Sequence, residues 1–139
     1  MIDRGNSKVS QADQFVEISM DFPVESVSIG ESHTALVSKT GDLYLIGTNK
    51  HGALGDSFTK PRTMALRKLQ SQVAHVSVGL HYTCAICVNG SIWTWGRPIR
   101  GQLGRDPEPQ DHPRPVNIEM PAISISTNEG ITLVSVKNI

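Results

Sequence analysis

The most reactive pair of side chains in this sequence forms a C-x-x-C motif, Cys84-Ala85-Ile86-Cys87. This spacing could supply half of a zinc site or a redox pair. A tetrahedral zinc site needs two more ligands, and no second C-x-x-C or C-x-x-H motif accompanies this one. A redox pair is typically found at a helix N-terminus, whereas the surrounding residues predict a strand. Because residues i and i+3 of a strand point to opposite faces, we expect Cys84 and Cys87 to be two small core residues.

The histidines are the next candidates for chemistry, and they are His33, His51, His75, His81 and His112. His33 stands at the start of a predicted strand, where a ring nitrogen is expected to satisfy a backbone group of a neighbouring strand. No serine elbow, phosphate-binding glycine loop or His-x-x-x-His element is present. The sequence therefore predicts no catalytic residue, no metal site and no cofactor, and we expect the protein not to be an enzyme.

Basic side chains are concentrated in two loop regions. The first holds Lys50, Lys60, Arg62, Arg67 and Lys68, and the second holds Arg97, Arg100, Arg105 and Arg114. Our candidate partner-contact residues are Lys50, Lys60, Arg62, Arg97, Arg100 and Arg105. Two interpretations stay open: a solvated loop surface diluted by nearby Asp and Glu, or a partly positive rim for an acidic partner or phosphate. Of Trp93 and Trp95, one indole is expected to pack internally and the other to be available for contact.

An internal repeat of 49 residues positions these side chains. Its clearest members are glycines: Gly30, Gly41, Gly47, Gly52 and Gly55 are followed at that offset by Gly79, Gly90, Gly96, Gly101 and Gly104. Thr34 with Thr83 and Leu54 with Leu103 keep the same offset. A period near 50 residues is typical of propeller or solenoid units, which bury their faces against neighbouring repeats.

Short β-branched runs between turn residues predict the strands. They are Val24–Ile29, Thr34–Ser38 and Leu43–Ile46, and then Val73–Val78, Thr83–Val88 and Ile92–Trp95. Asn89-Gly90 predicts a two-residue hairpin turn with positive φ at both central residues. The two Gly-x-Leu-Gly motifs predict tight turns that each bury one leucine. Residues 56–62 and 105–115 are predicted to be loops.

A weaker third copy of the repeat begins at Ala122. Ile123 and Ile125 lie 47 residues after Val76 and Val78, which predicts a linker two residues shorter and Ser126 in place of the repeat glycine. Residues 15–18 and 116–118 each predict a leading strand. We accordingly divide the chain into a polar N-terminal extension, 1–14, and a repeat domain, 15–139, with repeats at about 24–72, 73–121 and 122–139, the last truncated.

Composition narrows the possible functions. Of 139 residues, 20 are Gly or Pro and 38% are hydrophobic, a turn-rich balance that favours an all-β, antiparallel fold. Lys plus Arg and Asp plus Glu are both 13, so the zero net charge argues against binding to nucleic acid or chromatin on electrostatic grounds. We see no signal peptide and no apolar run of ~18 residues. Two cysteines without a secretion signal predict a reducing intracellular location, cytoplasmic or nuclear.

Several motifs together resemble the repeats of the regulator of chromosome condensation family over residues 15–139. They are His33-Thr34-Ala35-Leu36, Thr40-Gly41-Asp42-Leu43-Tyr44, Trp95-Gly96 and Gly101-Gln102-Leu103-Gly104. Ile46 stands where that family usually has tryptophan, and Tyr82 where it usually has histidine. The resemblance implies a seven-bladed β-propeller in which each repeat supplies one blade's worth of strands.

This chain would supply between two and three blades, which is a partial ring with two open sheet edges. We therefore expect it to be a segment of a larger propeller protein whose remaining blades are supplied in cis or in trans, and the isolated chain to be oligomeric, aggregation-prone or marginally folded. Two functions stay open. One is a non-enzymatic scaffold that binds a protein partner; the other, implied by the resemblance, is a guanine-nucleotide exchange factor for a small GTPase.

Overall fold

The computed structural model describes residues 19–56, 64–69, 71–106, 108 and 110–137, and within them the fold is built from antiparallel strands. The strands are β1 Val24–Ile29, β2 His33–Ser38, β3 Leu43–Gly47, β4 Ala65–Arg67, β5 Val73–Gly79, β6 Tyr82–Cys87, β7 Ile92–Gly96, β8 Arg114–Val116, β9 Ala122–Thr127 and β10 Thr132–Val136. A short 3₁₀ turn spans Lys50–Gly52. The predicted all-β, antiparallel class is confirmed.

The strands form three units in chain order. β1-β2-β3-β4 make the first four-stranded sheet, β5-β6-β7-β8 make the second, and β9 and β10 form a C-terminal hairpin. The six predicted strands of the two full repeats match β1–β3 and β5–β7 to within a residue or two. The predicted leading strand at 15–18 and the extension at 1–14 lie outside the described residues.

The fourth strand of each sheet was not predicted. Arg114 and Pro115 lie in a predicted loop, yet Arg114–Val116 forms β8 and pairs with β7. The leading strand predicted at 116–118 is therefore wrong, since Val116 belongs to the outer edge of the second sheet. A three-residue strand containing a proline carries little β signal of its own, and its position comes from pairing with the longer β7.

The offset of 49 residues continues into the C-terminal hairpin. Thr127 pairs with Thr132 as Val78 pairs with Thr83, and the Ala122 N–H donates to Gly90 O as the Val73 N–H donates to Gly41 O. The predicted offset of 47 is therefore wrong, and Asn128, not Ser126, occupies the glycine column. The error arose because an alternating strand looks the same after a shift of two residues.

The hairpin turn at Asn89-Gly90 also differs from its prediction. Gly90 has φ +84°, but Asn89 is not among the described residues with positive φ. The Gly90 N–H donates to Cys87 O at 2.9 Å, and the Cys87 N–H donates to Ser91 O at 2.9 Å. The loop thus holds three residues, with glycine supplying the left-handed position of a bulge. Gly41 forms the same turn in the first sheet.

Two apolar clusters lie between neighbouring units. The larger, between the first and second sheets, contains Leu43, Leu45, Leu54, Cys87 and Trp95 among others. The smaller, between the second sheet and the C-terminal hairpin, contains Cys84, Ile86, Ile92 and Ala122. Cys84 and Cys87 are free, buried and in different clusters. The prediction that they point to opposite faces of one strand is confirmed.

Gly47 and Gly96 end the third strand of their sheets, where the backbone at the start of the paired second strand lies too close for a side chain. A Cβ on Gly96, whose φ is +110°, would lie 2.5 Å from His81 O and 2.6 Å from Tyr82 Cα. Gly47, with φ +135°, meets Ser32 O and His33 Cα at the same two distances. These contacts bring the loop before β2 or β6 against the end of β3 or β7.

No helix in the described part of the chain is long and apolar enough to span a membrane.

Candidate protein-interaction face

Antiparallel connection places the loops of each sheet at two opposite ends. One end of the sheets, which we call the loop face, carries the β1–β2, β3–β4, β5–β6, β7–β8 and β9–β10 connections. The described residues at its centre are 30–32, 48–56, 80–81, 97–106 and 128–131. The β2–β3, β4–β5, β6–β7 and β8–β9 connections share the other end, which we call the turn face. The loop face carries the longer connections and most of the candidate contact residues.

Lys50, Arg97 and Arg100 lie on the loop face. Lys50 and Arg100 are exposed and Arg97 is half-buried. Partial burial lowers the pKa of His81 first, and the nearby His51, Lys50 and Arg97 lower it further, while Glu31 acts against them. The structure therefore gathers basic groups from both sheets around His81. Lys60 and Arg62, also predicted as contacts, lie outside the described residues.

His51 and His81 face each other across the boundary between the sheets. Their ring centroids are 5.5 Å apart at 45°. Their φ angles are +56° and +59°, and they are the two non-glycine residues with positive φ in the described ranges. Left-handed backbone is uncommon for a residue with a side chain, although histidine is among the types enriched there. Both loops are thus bent in a way that presents an imidazole at the loop face.

A chain of hydrogen bonds runs from the His81 imidazole into the core. His81 Nδ1 lies 3.0 Å from Ser32 Oγ, which lies 3.2 Å from His33 Nδ1. His33 Nε2 lies 2.8 Å from Thr83 Oγ1, and the Thr83 hydroxyl donates to Ala53 O at 2.8 Å. Since the Thr83 proton is used there, Thr83 accepts from His33, which is therefore protonated at Nε2. The network joins the first sheet to the second.

Burial keeps His33 neutral. Its pKa falls from 6.5 to about 4, first because the ring is buried and second because His81 is nearby, while a hydrogen bond with the Tyr82 backbone opposes the shift. The ring is 3% exposed. It bridges the sheets, as expected for a structural histidine, and its closest side-chain partner is the Thr83 hydroxyl.

Two other arginines are held by their own sheets. Arg105, a predicted contact, is half-buried; its guanidinium donates to Thr94 O at 2.9 Å and to Thr94 Oγ1 at 3.2 Å. Burial lowers the pKa of both Arg105 and Arg67. Arg67 donates to Leu54 O. Arg67 thus fixes the first Gly-x-Leu-Gly loop, and Arg105 is fixed against the middle of β7.

Acidic side chains interrupt the basic surface. A depression of about 410 Å³ on the loop face is lined by Asn49, His51, Gly52, Glu108, Gln110 and Asp111. His112 Nδ1 lies 2.7 Å from Asp111 Oδ1. The loop face is thus a mosaic of both signs, consistent with the zero net charge. A surface with charges of both signs favours a specific polar interface with a protein over non-specific attraction to polyanions.

The described residues assemble no catalytic constellation. No group of three or more His, Cys, Asp or Glu side chains within the described ranges is arranged to hold a metal ion. Burial raises the pKa of the Cys84 and Cys87 thiols, which disfavours the reactive thiolate. Trp93 and Trp95 both pack inside the larger cluster, so neither indole is a surface contact.

Sequence reasoning assigned no role to Ser32 or Asn49, and it named His81 as a histidine without placing it at this site. Asn49 Nδ2 donates to Asp56 O at 2.5 Å, and its Oδ1 accepts from the Leu54 N–H at 3.0 Å, which fixes the Gly-x-Leu-Gly loop. His81 has Ser32 as its repeat counterpart, and Asn49 has Pro98. Because the residue type at these positions changes from one repeat to the next, an alignment of the repeats does not single them out.

Comparison with known proteins agrees with the repeat architecture. A family model for the "Regulator of chromosome condensation (RCC1) repeat" matches residues 89–134. The chain is similar to the secretion-regulating guanine nucleotide exchange factor of Bos taurus, at 36% identity over 89 residues, which cover 61% of this chain and 19% of that protein. It is also similar to the regulator of chromosome condensation of Homo sapiens, at 31% identity over 117 residues, which cover 79% of this chain and 28% of the relative.

The fold agrees as well. The yeast protein in the crystal structure of Kap60 bound to yeast RCC1 (Prp20) matches with a TM-score of 0.72 and 20% identity, over 89% of this chain and 32% of its own length. This chain therefore spans about a fifth to a third of the length of the relatives that it matches. The three units described above correspond to two blades and part of a third.

Proposed function

We propose that this chain is a non-enzymatic scaffold that binds a protein partner through its loop face. Residues 89–134 match the model of the regulator of chromosome condensation repeat, and the strands fold as part of a β-propeller. The observation that carries this proposal is the convergence of Lys50, Arg97, His51 and His81 from two blades. The residues contributed by both repeats would act as one surface.

The backbone at this surface supports the same proposal. Two histidines in left-handed conformation flank the blade boundary, and such residues persist where surrounding structure fixes them, often at binding sites. The hydrogen-bonded chain from His81 to Ala53 holds the two loops together before any partner arrives. A pre-organised face loses less conformational entropy on binding. Buried reduced cysteines fit the intracellular location, cytoplasmic or nuclear, that we propose with it.

Charge reversal tests the loop face. In affinity capture from cell extract, a partner retained by the wild-type chain should be lost with Lys50→Glu/Arg97→Glu and kept with Lys68→Glu. Lys68 is the matched control because it is an exposed lysine on the turn face, paired with Asp42 at 3.0 Å. A partner captured equally by all three proteins would exclude the loop face as the contact surface.

Guanine-nucleotide exchange on a small GTPase is the second candidate, favoured by the name of the bovine relative. In that case the partner is the GTPase, and the chain, with the blades that complete it, accelerates nucleotide release. A release assay against a panel of small GTPases separates the two candidates. Accelerated release by the wild-type chain that Arg97→Glu abolishes would select the exchange function, whereas binding without release would select the scaffold.

A further inference from the structure

The basic side chains of the loop regions differ in whether their charged groups are already bound. The guanidinium groups of Arg67 and Arg105 donate to backbone oxygens of their own sheets. The side chains of Lys50 and Arg97 form no hydrogen bond or ion pair with any residue in the described ranges. Lys50 is exposed and Arg97 is half-buried. These two cations therefore keep their donors available for a ligand on the loop face.

The backbone holds both cations beside two imidazoles. The Arg97 N–H donates to His81 O at 2.9 Å, which fixes these two residues side by side. The His51 ring lies 5.5 Å from the His81 ring, measured between centroids. Lys50 directly precedes His51 in the 3₁₀ turn. Four basic residues from two blades thus meet at one place, which we call the basic cluster: Lys50, His51, His81 and Arg97.

The hydrogen bonds beneath the basic cluster determine the tautomer of His81. His33 is protonated at Nε2, so its Nδ1 is an acceptor, and the Ser32 hydroxyl donates to it at 3.2 Å. The Ser32 oxygen then accepts from His81 Nδ1 at 3.0 Å. A neutral His81 ring therefore carries its proton at Nδ1 and has a lone pair at Nε2. That nitrogen can accept a proton, whereas lysine and arginine side chains only donate.

A phosphate monoester matches both properties of the basic cluster. It carries a charge of about −1.5 to −2 at neutral pH and has a second pKa near ~6, so two fixed cations balance it. Its monoanion has one O–H that donates to His81 Nε2, and its dianion accepts a hydrogen bond from the same nitrogen once that nitrogen is protonated. A carboxylate has a single charge and no proton at neutral pH. The cluster therefore fits a phosphate monoester better than a carboxylate.

Acidic side chains limit the size of the anion. Glu108 and Asp111 line the depression that begins at His51, and Glu31 opposes the cationic neighbours of His81. A phosphodiester chain or an anionic membrane laid across the cluster would bring further negative charges against these carboxylates, which is unfavourable. A single phosphate group on a protein side chain avoids that repulsion.

We propose that the basic cluster binds a phosphorylated side chain of a protein partner, with Lys50 and Arg97 balancing the phosphate charge and His81 Nε2 sharing its proton. This inference rests on the loop-face binding proposed above and names the chemical group that the face recognises. Phosphorylation of the partner then switches the interaction on. Binding of the dianion takes up a proton, because a bound anion favours the imidazolium form of His81. The charged and titratable groups that face His81 are Lys50, His51, Arg97, Glu31 and His33.

A small phosphorylated probe tests the site on the whole chain. The probe is N-acetyl-phosphoserine N-methylamide, and ¹H–¹⁵N NMR follows the histidine rings. We expect saturable shifts of the His51 and His81 resonances, and calorimetry in two buffers of different ionisation enthalpy should show net proton uptake near neutral pH. The corresponding glutamate compound should bind about tenfold more weakly or worse, without proton uptake.

A charge-neutralised variant tests the two cations. Lys50→Gln/Arg97→Gln should weaken binding of the phosphoserine probe about tenfold or more. Lys39→Gln/Lys68→Gln is the matched control, because it removes the same net charge from two exposed lysines of the turn face. The control should bind the probe as the wild type does, and an equal loss in both variants would overturn the proposal.

The two histidines are tested by a variant that keeps the backbone. His51→Asn/His81→Asn removes both imidazoles but retains a residue type that tolerates left-handed φ, so we expect weaker binding and no proton uptake. Unchanged proton uptake would overturn the role given to His81. If Lys50→Gln/Arg97→Gln fails to fold by circular dichroism, this variant and the two probes on the wild-type chain decide.

Phosphatase treatment separates this inference from the function on which it rests. A partner that the wild-type chain retains from cell extract, and that Lys50→Glu/Arg97→Glu loses, should also be lost when the extract is first treated with a phosphatase. Retention that survives the phosphatase but is still lost on charge reversal would leave the loop face as the contact surface and would overturn the phosphate site alone.

Three results with small ligands would also overturn the proposal. The first is the absence of any shift of the histidine rings at about 20 mM phosphoserine probe. The second is equal binding of the glutamate compound, which would assign the cluster to an acidic segment without phosphate. The third is tighter binding of a short oligothymidylate or of phosphatidylserine vesicles, which would assign it to a nucleic acid or a membrane surface.

Discussion

The chain contains two junctions between neighbouring units. The first lies between the two complete blades, and the second lies between the second blade and the C-terminal hairpin. Both use the same loop and threonine, but the first has more contacts. Leu54 and Leu103, the inward leucines of the two loops, are both fully buried. At the first junction Trp95 covers that loop and His33 bridges to Thr83. At the second, Tyr82 occupies the histidine column, and an open cleft of about 360 Å³ is lined by Leu103 and Gly104 among others. The comparison shows that the Gly-x-Leu-Gly loop and the threonine of the next unit form the junction. The third strand of that next unit then covers the loop.

Tyr82 shows how a different residue type can serve the same column. Its hydroxyl lies 2.9 Å from Asn128 O and 2.7 Å from Ile131 O, so it donates to the loop of the next unit. Thr132 Oγ1 lies 3.3 Å from the same hydroxyl. Both His33 and Tyr82 therefore reach across to the neighbouring threonine; burial lowers the pKa of His33 to about 4 and raises the pKa of Tyr82.

Removal of the Trp95 indole should have the largest effect. Trp95→Ala deletes a fully buried side chain and its bond to Ala53 O, and we expect a loss of about 4 kcal/mol in the free energy of unfolding by urea. Amide hydrogen exchange at Leu54 should also become faster, because the indole no longer covers its loop. A loss below ~1 kcal/mol would mean that the indole does not seal the junction.

The strand-ending glycines should give the next largest effect, and an equal one in both blades. Gly96→Val and Gly47→Val each force a branched side chain into backbone at about 2.5 Å and into a φ that disfavours it, so each should cost about 3 kcal/mol or more. Arg100→Ala, an exposed control on the loop face, should change stability by about 0.5 kcal/mol at most. Equal thermal midpoints for Gly96→Val and Arg100→Ala would contradict the role given to this column.

Acid should weaken the first junction before the second. The pKa of His33 is lowered from 6.5 to about 4 in the folded chain, so the unfolded chain binds the proton first as pH falls. The stabilising contribution is complete above pH 6.5 and is lost between pH 6.5 and 4, for a total of about 3 kcal/mol.

His33→Gln is the matched variant for this acid effect, because it keeps a donor toward Thr83 without a titrating ring. Unfolding free energies of the two proteins should converge as pH falls from 7 to 4, with the wild type losing more. If the difference between wild type and His33→Gln stays constant over that range, His33 does not couple protonation to folding.

Much of the fold could be predicted because the same residue types recur at the same positions of the two full repeats. Glycines at 47 and 96 are required by backbone contact, so their recurrence gave the strand ends directly. The offset of the third copy was wrong because Ile123 and Ile125 fit two registers of an alternating strand equally well. The hydrogen bonds from Ala122 to Gly90 and from Lys137 to Pro121, with the pairing of Thr127 and Thr132, select 49.

The candidate site was less predictable. Lys50, Arg97 and Arg100 could be placed on one end from the strand order alone, but Arg105 could not be separated from them, since its bonds to Thr94 depend on the fold. The Ser32–His81 contact joins residues whose columns differ between repeats. Sequence periodicity identifies what every blade needs, and it carries little information on what one pair of blades does differently.

The smallest predicted effect distinguishes the two threonines. Thr83→Val leaves the buried His33 Nε2–H without its acceptor and removes one donor from Ala53 O, so we expect a loss of about 2 kcal/mol. Thr132→Val removes the equivalent donor from Gln102 O beside an open cleft, where water can replace the hydroxyl, and should cost about 0.5 kcal/mol. Urea unfolding of both variants measures the difference. Equal losses would show that the second junction is as dry as the first, and the cleft would then be closed in solution.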